Sequence, residues 1–297
     1  MQEKLRETAR QLLSENSATS ATTKVDVVIG YGETETGAVG AVFIRDPNDV
    51  NKLIWDNRCR TNLTTYLKRK EVRALGKPAV VVKGCDSRSL VTLAVESQIK
   101  PDDLVVIGMA CEGVIQEIPG KAASTEGELC AKCKVCDVHN PLGCDIVIGE
   151  VANKEVMCDD RYKALERIMA MTPTERMAYW SKQFERCFKC YACRQSCPLC
   201  YCNVCIADKN RPIVIEPSSS LKGNFAWQIV RAFHLAGRCS GCGECERACP
   251  AGIELSLLNQ TLAKSAEEHF NFRAGMDKNA EQLIGTYSEQ DEEEFIR

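Results

Sequence analysis

Cys187-Phe-Lys-Cys190-Tyr-Ala-Cys193-Arg-Gln-Ser-Cys197-Pro198 returns further along the chain as Cys239-Ser-Gly-Cys242-Gly-Glu-Cys245-Glu-Arg-Ala-Cys249-Pro250. Both copies read Cys-x2-Cys-x2-Cys-x3-Cys-Pro. Three closely spaced thiols can wrap one face of a cubane. The fourth, beyond the turn that proline enforces, points away and ligates a second cluster. The register therefore predicts two [4Fe-4S] clusters with crossed ligands: Cys187, Cys190, Cys193 and Cys249 for one, Cys239, Cys242, Cys245 and Cys197 for the other. Structural zinc uses separated Cys-x2-Cys knuckles rather than triplets closed by Cys-Pro. Unligated core cysteines would keep no register at all.

Flanking residues predict a helical setting for these motifs. Thr172-Pro-Thr-Glu175 is a capping box with proline at the first helical position, so a helix starts there and runs through Trp180 and Phe184 into Cys187. Further helices are expected from Phe225 to Ala236 and from Ile253 to about His269. Trp180, Phe184, Phe225 and Trp227 are expected to shield clusters from water, which helps set their potentials. His234 is expected to pack or hydrogen-bond beside a cluster, not to ligate one. The long insert between the two motifs and the helices around them resemble the α-helical ferredoxins of succinate dehydrogenase iron–sulfur subunits and of the heterodisulfide reductase C subunit. Cys200-Tyr-Cys202-Asn-Val-Cys205 departs from that pattern. Its thiols either hold an additional metal or pack beside a cluster.

The first half has another character. Lys24-Val-Asp-Val-Val-Ile-Gly30, Gly40-Ala-Val-Phe-Ile44, Pro78-Ala-Val-Val-Val-Lys-Gly84, Asp103-Leu-Val-Val-Ile-Gly108 and Asp145-Ile-Val-Ile-Gly149 read as short strands. Helical spacing over Thr61 to Leu75 and Asp86 to Gln98 alternates with them, which predicts an α/β domain with a largely parallel sheet. Leu5, Ala9, Leu12 and Leu13 mark an amphipathic helix at the start. We expect an α/β domain over 1–165, a mainly α-helical two-cluster domain over 166–285 and a solvated or partner-bound acidic tail over 286–297. Gly30-Tyr-Gly32 to Gly40 does not fit G-x-G-x-x-G and carries Glu33 and Glu35, so it reads as a turn rather than a phosphate cradle.

Nineteen cysteines in 297 residues, an odd number in a chain without a secretory signal pattern, point to metal or redox chemistry in a reducing cytoplasm. A net charge of −3 gives no basic field for nucleic acid. No apolar run approaches the roughly 20 residues that span a bilayer, so an integral membrane protein is not expected. Neither Gly-x-Ser-x-Gly nor His-Glu-x-x-His occurs.

The N-terminal half has its own thiols: Cys85 and Cys111 at strand ends, the triplet Cys130-x2-Cys133-x2-Cys136, and Cys144. Lys83-Gly-Cys85-Asp-Ser-Arg-Ser-Leu90, Val105-Val-Ile-Gly-Met-Ala-Cys111, Cys133-x2-Cys136 and Cys144-Asp-Ile-Val-Ile-Gly149 follow the motif order of the deazaflavin-linked hydrogenase and dehydrogenase β-subunit family, which they resemble over about residues 25–150. The resemblance implies a third [4Fe-4S] cluster with Cys85, Cys111, Cys133 and Cys136 at the matching positions. Cys130 is the competing ligand, and a zinc knuckle on the 130–136 triplet is the alternative. The family also binds FAD and exchanges hydride with a deazaflavin. Two functions follow as expectations. One is an electron-transfer subunit of a cytoplasmic anaerobic redox complex, working with a flavoprotein of the heterodisulfide reductase A type. The other is an FAD-containing subunit that splits hydride into single electrons.

Overall fold

The structure is a computed structural model that describes residues 1–14, 24–116 and 124–285. The expected acidic tail lies outside the described residues. All five expected strands form: β1 (Val27–Glu33), β2 (Val39–Ile44), β3 (Pro78–Val82), β4 (Val105–Met109) and β5 (Ile146–Ile148). They build one mixed sheet in the order β2-β1-β3-β4-β5. β1, β3, β4 and β5 run parallel, and β2 adds antiparallel to the outer side of β1. β3 and β4 are buried along almost their whole length, as parallel strands covered on both faces must be. The glycine-containing segment after β1 is the reversal of this hairpin, with Gly37 at φ 78° and its N–H bonded to the Thr34 carbonyl. The turn is shorter than the sequence indicates: Gly30, Tyr31 and Gly32 lie within β1 and Gly40 within β2, where Gly32 pairs with Gly40.

The helix Gln2–Leu13 buries Leu5, Ala9, Leu12 and Leu13 against the sheet, the face its spacing defines. A second helix, Gly84–Val95, follows β3. The single helix expected over Thr61 to Leu75 does not form. A 3-10 turn at Leu63–Tyr66 and a short helix at Lys70–Arg73 stand there instead. Asn62 accepts from both the N–H and the hydroxyl of Thr64, and such local side-chain bonds, with two β-branched threonines in succession, compete with helix propagation.

The second half is dominated by helices. Pro173–Glu185 begins with the expected capping box, in which Thr172 accepts from the Glu175 N–H and Glu175 from the Thr172 N–H. Leu221–His234 and Leu255–Phe270 complete the main set. Trp180 stacks on Phe184, and Phe184 meets Phe225 edge to face. With Ile253 and Leu255 these rings form a core separate from that of the sheet.

Polar contacts join the two parts. Arg88 donates twice to the Ala274 carbonyl, the Ser89 and Ser240 hydroxyls share a hydrogen bond of 2.8 Å, and Lys132 donates to the Cys242 carbonyl. Asp137 accepts from both Arg161 and Arg273. Burial alone would raise its carboxyl, but these two guanidiniums hold it down at about 2.

Candidate metal centres

Three cavities lie where the two parts meet and within the helical part, and each is lined by four of the cysteines that the sequence groups together. The first has about 900 Å3 of empty space, counting its open mouth, and is lined by Cys85, Cys111, Cys133 and Cys136. Cys197, Cys239, Cys242 and Cys245 line the second, of about 400 Å3. Cys187, Cys190, Cys193 and Cys249 line the third, of about 320 Å3. Cys197 and Cys249 are thus each found with the other motif's triplet.

Local structure explains how the chain reaches these positions. Cys85 sits in the first turn of helix Gly84–Val95. Asp86 does not cap this helix from outside; it lies at the third helical position and accepts from the Lys83 N–H. Gly84 is obligatory because a Cβ there would stand 1.8 Å from the Val138 carbonyl oxygen. That close approach brings Cys85 to the segment carrying Cys133 and Cys136. Cys111 follows β4 and is clamped by His139: the Cys111 N–H donates to the His139 carbonyl, and the imidazole Nδ1 meets the Cys111 carbonyl at 2.8 Å. A carbonyl only accepts, so Nδ1 carries the proton.

The two ferredoxin-type loops share one backbone shape. Lys189 and Tyr191 in the first occupy the left-handed region at φ 54° and 58°, and Gly241 and Gly243 occupy the same places in the second at 71° and 72°. Glycine takes this conformation without strain, whereas other residues need support. Lys189 gains it by donating to the Glu216 carbonyl, and Tyr191 by packing edge to face on Trp227.

Donors reach several of the sulfurs. The Val114 N–H meets Cys133 Sγ at 3.4 Å, while the Gln228 and Asn259 amides meet Cys187 and Cys245 at 3.5 Å. Burial pushes the thiols up, Cys111 to about 11 and Cys239 to about 12. A bare thiolate is disfavoured at such sites, and a bound metal cation would reverse that preference. Arg231 lies between the second and third cavities, 3% exposed, in the field of Cys245, Cys200, Cys197 and Cys193. It donates to the Cys193 carbonyl.

The remaining candidates fall elsewhere. Cys130 caps the short helix Ala131–Lys134 and does not line the first cavity. Cys200 packs beside Cys197, and the hydrogen bond between the two thiols pulls Cys200 down to about 7 and pushes Cys197 up. Lys68 donates to both of their carbonyls. Cys202 is exposed, and Cys205 adjoins Arg194. Among the described residues, no three His, Cys, Asp or Glu side chains converge so as to hold a single metal ion. His234 is exposed and lines none of the three cavities; it lies at the helix end, beyond the buried face set by Trp227, Gln228 and Arg231. His139, by contrast, lines the first. No spacing could have singled it out, because its role depends on a contact with residue 111.

The class this defines is a cysteine-rich protein joining a mixed α/β sheet to a helical part, with thiol-lined cavities running from one to the other. No family model matches the chain. It is similar to the F420-dependent formate dehydrogenase subunit beta of Methanocaldococcus jannaschii, 33% identical over 106 residues, which cover 35% of this chain and 27% of that protein. It is also similar to the F420-dependent formate dehydrogenase 1 subunit beta of Methanococcus maripaludis, 24% identical over 73% of this chain and 77% of that protein. The chain thus spans little more than a quarter of the first relative's length. At this modest identity, the likenesses support the kinship with deazaflavin-linked dehydrogenase β subunits. Among the described residues, no helix is long and apolar enough to cross a membrane.

Proposed function

We propose that the chain is an iron–sulfur electron-transfer subunit of a multisubunit redox complex related to the formate dehydrogenases, carrying three [4Fe-4S] clusters on an α/β domain and a helical two-cluster domain. The observation that carries this reading is that twelve of the cysteines line three cavities in sets of four, with Cys239 of the second set also reaching the wall of the first. Four thiols spread around a void fit a cubane, which is held at four corners, better than they fit a single ion. A cubane supplies one-electron chemistry, and the protein's part is to hold, shield and tune it. Cys85, Cys111, Cys133 and Cys136 hold one; the crossed sets ending in Cys249 and Cys197 hold the others. Cys239, Ser240 and Gly241 line both the first and the second cavity, so these two sites share a wall, whereas the third shares no lining residue with the first. The printed names of the relatives support the assignment to a dehydrogenase complex.

One observation favours a second reading. The first cavity is more than twice the size of the others and is also lined by Arg88, Arg161 and Arg273. Arginines around an open cavity are the feature that a flavin's diphosphate would require, and a flavin there would make the chain a hydride-splitting subunit. Anaerobic purification with iron, sulfide, zinc and flavin determination separates the two. About twelve irons without flavin, with three reduced EPR signals, is the expected result. Stoichiometric FAD would select the second reading. About eight irons with one zinc would overturn the N-terminal cluster.

A further inference from the structure

The third cavity shares no lining residue with the first, and its setting differs from the others. Cys197, Cys242 and Cys245 of the second are buried, whereas Cys190 of the third is exposed. Phe188, which lines the same cavity, is 56% exposed. The segment after Cys205 is pinned against this loop, because Arg194 binds Asp208 with both contacts at 2.8 Å and Lys189 reaches the Glu216 carbonyl. That segment presents Ile213 and Val214, and Val204 stands just before it, all more than half exposed. Apolar side chains gathered around an exposed cluster ligand mark a contact surface rather than a casual patch.

Charge indicates what covers it. The chain as a whole is acidic, at net −3, yet Lys182, Arg186, Lys209, Arg211 and Lys222 all stand exposed around this end. Of the acids in the same stretch, Asp208 is paired with Arg194, while Glu185 is exposed and the Glu216 carboxylate, which accepts from Ser218 and Ser220, keeps its charge, so the bases remain in excess. We infer that the surface around Cys190 is the docking face for a redox protein that presents acidic side chains, and that single electrons pass there. This rests on the relay reading. The step balances as one electron lost by the reduced centre at Cys187, Cys190, Cys193 and Cys249 and one gained by the partner, with no bond made or broken. A basic rim around an apolar centre speeds encounter with an acidic partner and is screened by salt.

The test uses the anaerobically purified, reduced chain in stopped flow, with a flavodoxin as the acidic one-electron acceptor and methyl viologen as a small acceptor needing no docking face. The variant is Lys209→Glu/Arg211→Glu/Lys222→Glu, none of which supplies a cluster ligand. The bimolecular rate with flavodoxin should fall about 10-fold or more in the variant at low ionic strength, and the parent's rate should fall as salt is added. Viologen reduction should be unchanged. An unaltered flavodoxin rate, or a parent rate indifferent to salt, overturns the docking face while leaving the relay standing. Failure of the parent to reduce viologen, with no reduced EPR signal, overturns the relay and the docking face with it.

Discussion

Replacing Lys83 by methionine tests the packing logic of the N-terminal centre. Lys83 Nζ donates to Asp86 at 2.7 Å, to the Tyr31 hydroxyl at 2.6 Å and to the Thr61 carbonyl at 2.9 Å. The two charged side chains are 2% and 0% exposed. Burial alone would lower the ammonium's pKa, and Asp86 beside it more than offsets that. Methionine keeps the apolar stem but strands the Asp86 carboxylate. Removing one member of a buried pair costs about 3–5 kcal/mol. Asp86 retains the Tyr31 hydroxyl at 3.2 Å and the Lys83 N–H at 3.3 Å, which places the loss near the lower end, about 3 kcal/mol. For a part of roughly 150 residues this corresponds to roughly 6–12 °C in melting temperature. The double variant Lys83→Met/Asp86→Leu removes both charges and should recover most of the loss. Anaerobic thermal melts at one scan rate, with iron content as a control, measure the cycle. If Lys83→Met melts within about 2 °C of the parent, or if the single losses merely add in the double variant, the reasoning is wrong.

Other perturbations read the sites individually. Cys133→Ser should abolish the N-terminal EPR signal and remove about four irons, whereas Cys130→Ser should leave both unchanged; the opposite pattern would exchange their roles. Arg231→Gln should lower the reduction potentials of both helical-domain clusters, because a buried cation between them favours the added electron; Arg231→Lys should restore part of the shift, and potentiometric EPR titration reads both. Asp137, held at about 2 in the folded chain, contributes stability that is complete above the ordinary carboxylate value near 4 and is lost as pH falls through 2. Asp137→Asn should lose that contribution at neutral pH and flatten the dependence between pH 4 and 2, as followed by proteolysis of the cluster-free chain.

The five strands and the capping box at Thr172 were legible because each is written in contiguous residues. The spacing also encodes a crossed grouping of the ferredoxin-type cysteines, and the same residues line the two smaller cavities. The broken helix between Thr61 and Leu75 was not legible from apolar spacing, since Asn62 and Thr64 decide it through hydrogen bonds. The clamp of His139 on Cys111, the lodging of Arg231 between two sites and the contact of Lys68 with the Cys197 loop depend on segments far apart in the chain. Periodicity carries no record of such meetings. The separation of Cys130 from Cys133 and Cys136 was left open for a similar reason: three equally spaced thiols look alike until a short helix turns one of them away.

The crossing of Cys197 and Cys249 has a consequence for biogenesis. On the proposed ligand sets, the site built on Cys239, Cys242, Cys245 and Cys197 is complete only once the polypeptide has been made through Cys245, and the site built on Cys187, Cys190, Cys193 and Cys249 only through Cys249. The N-terminal set is complete by Cys136. A nascent chain could therefore be loaded at its first site while still being synthesised, whereas the other two must wait for the second motif. A truncation before Cys239 removes three ligands of one site and the last ligand of the other, so the first motif alone can mature neither.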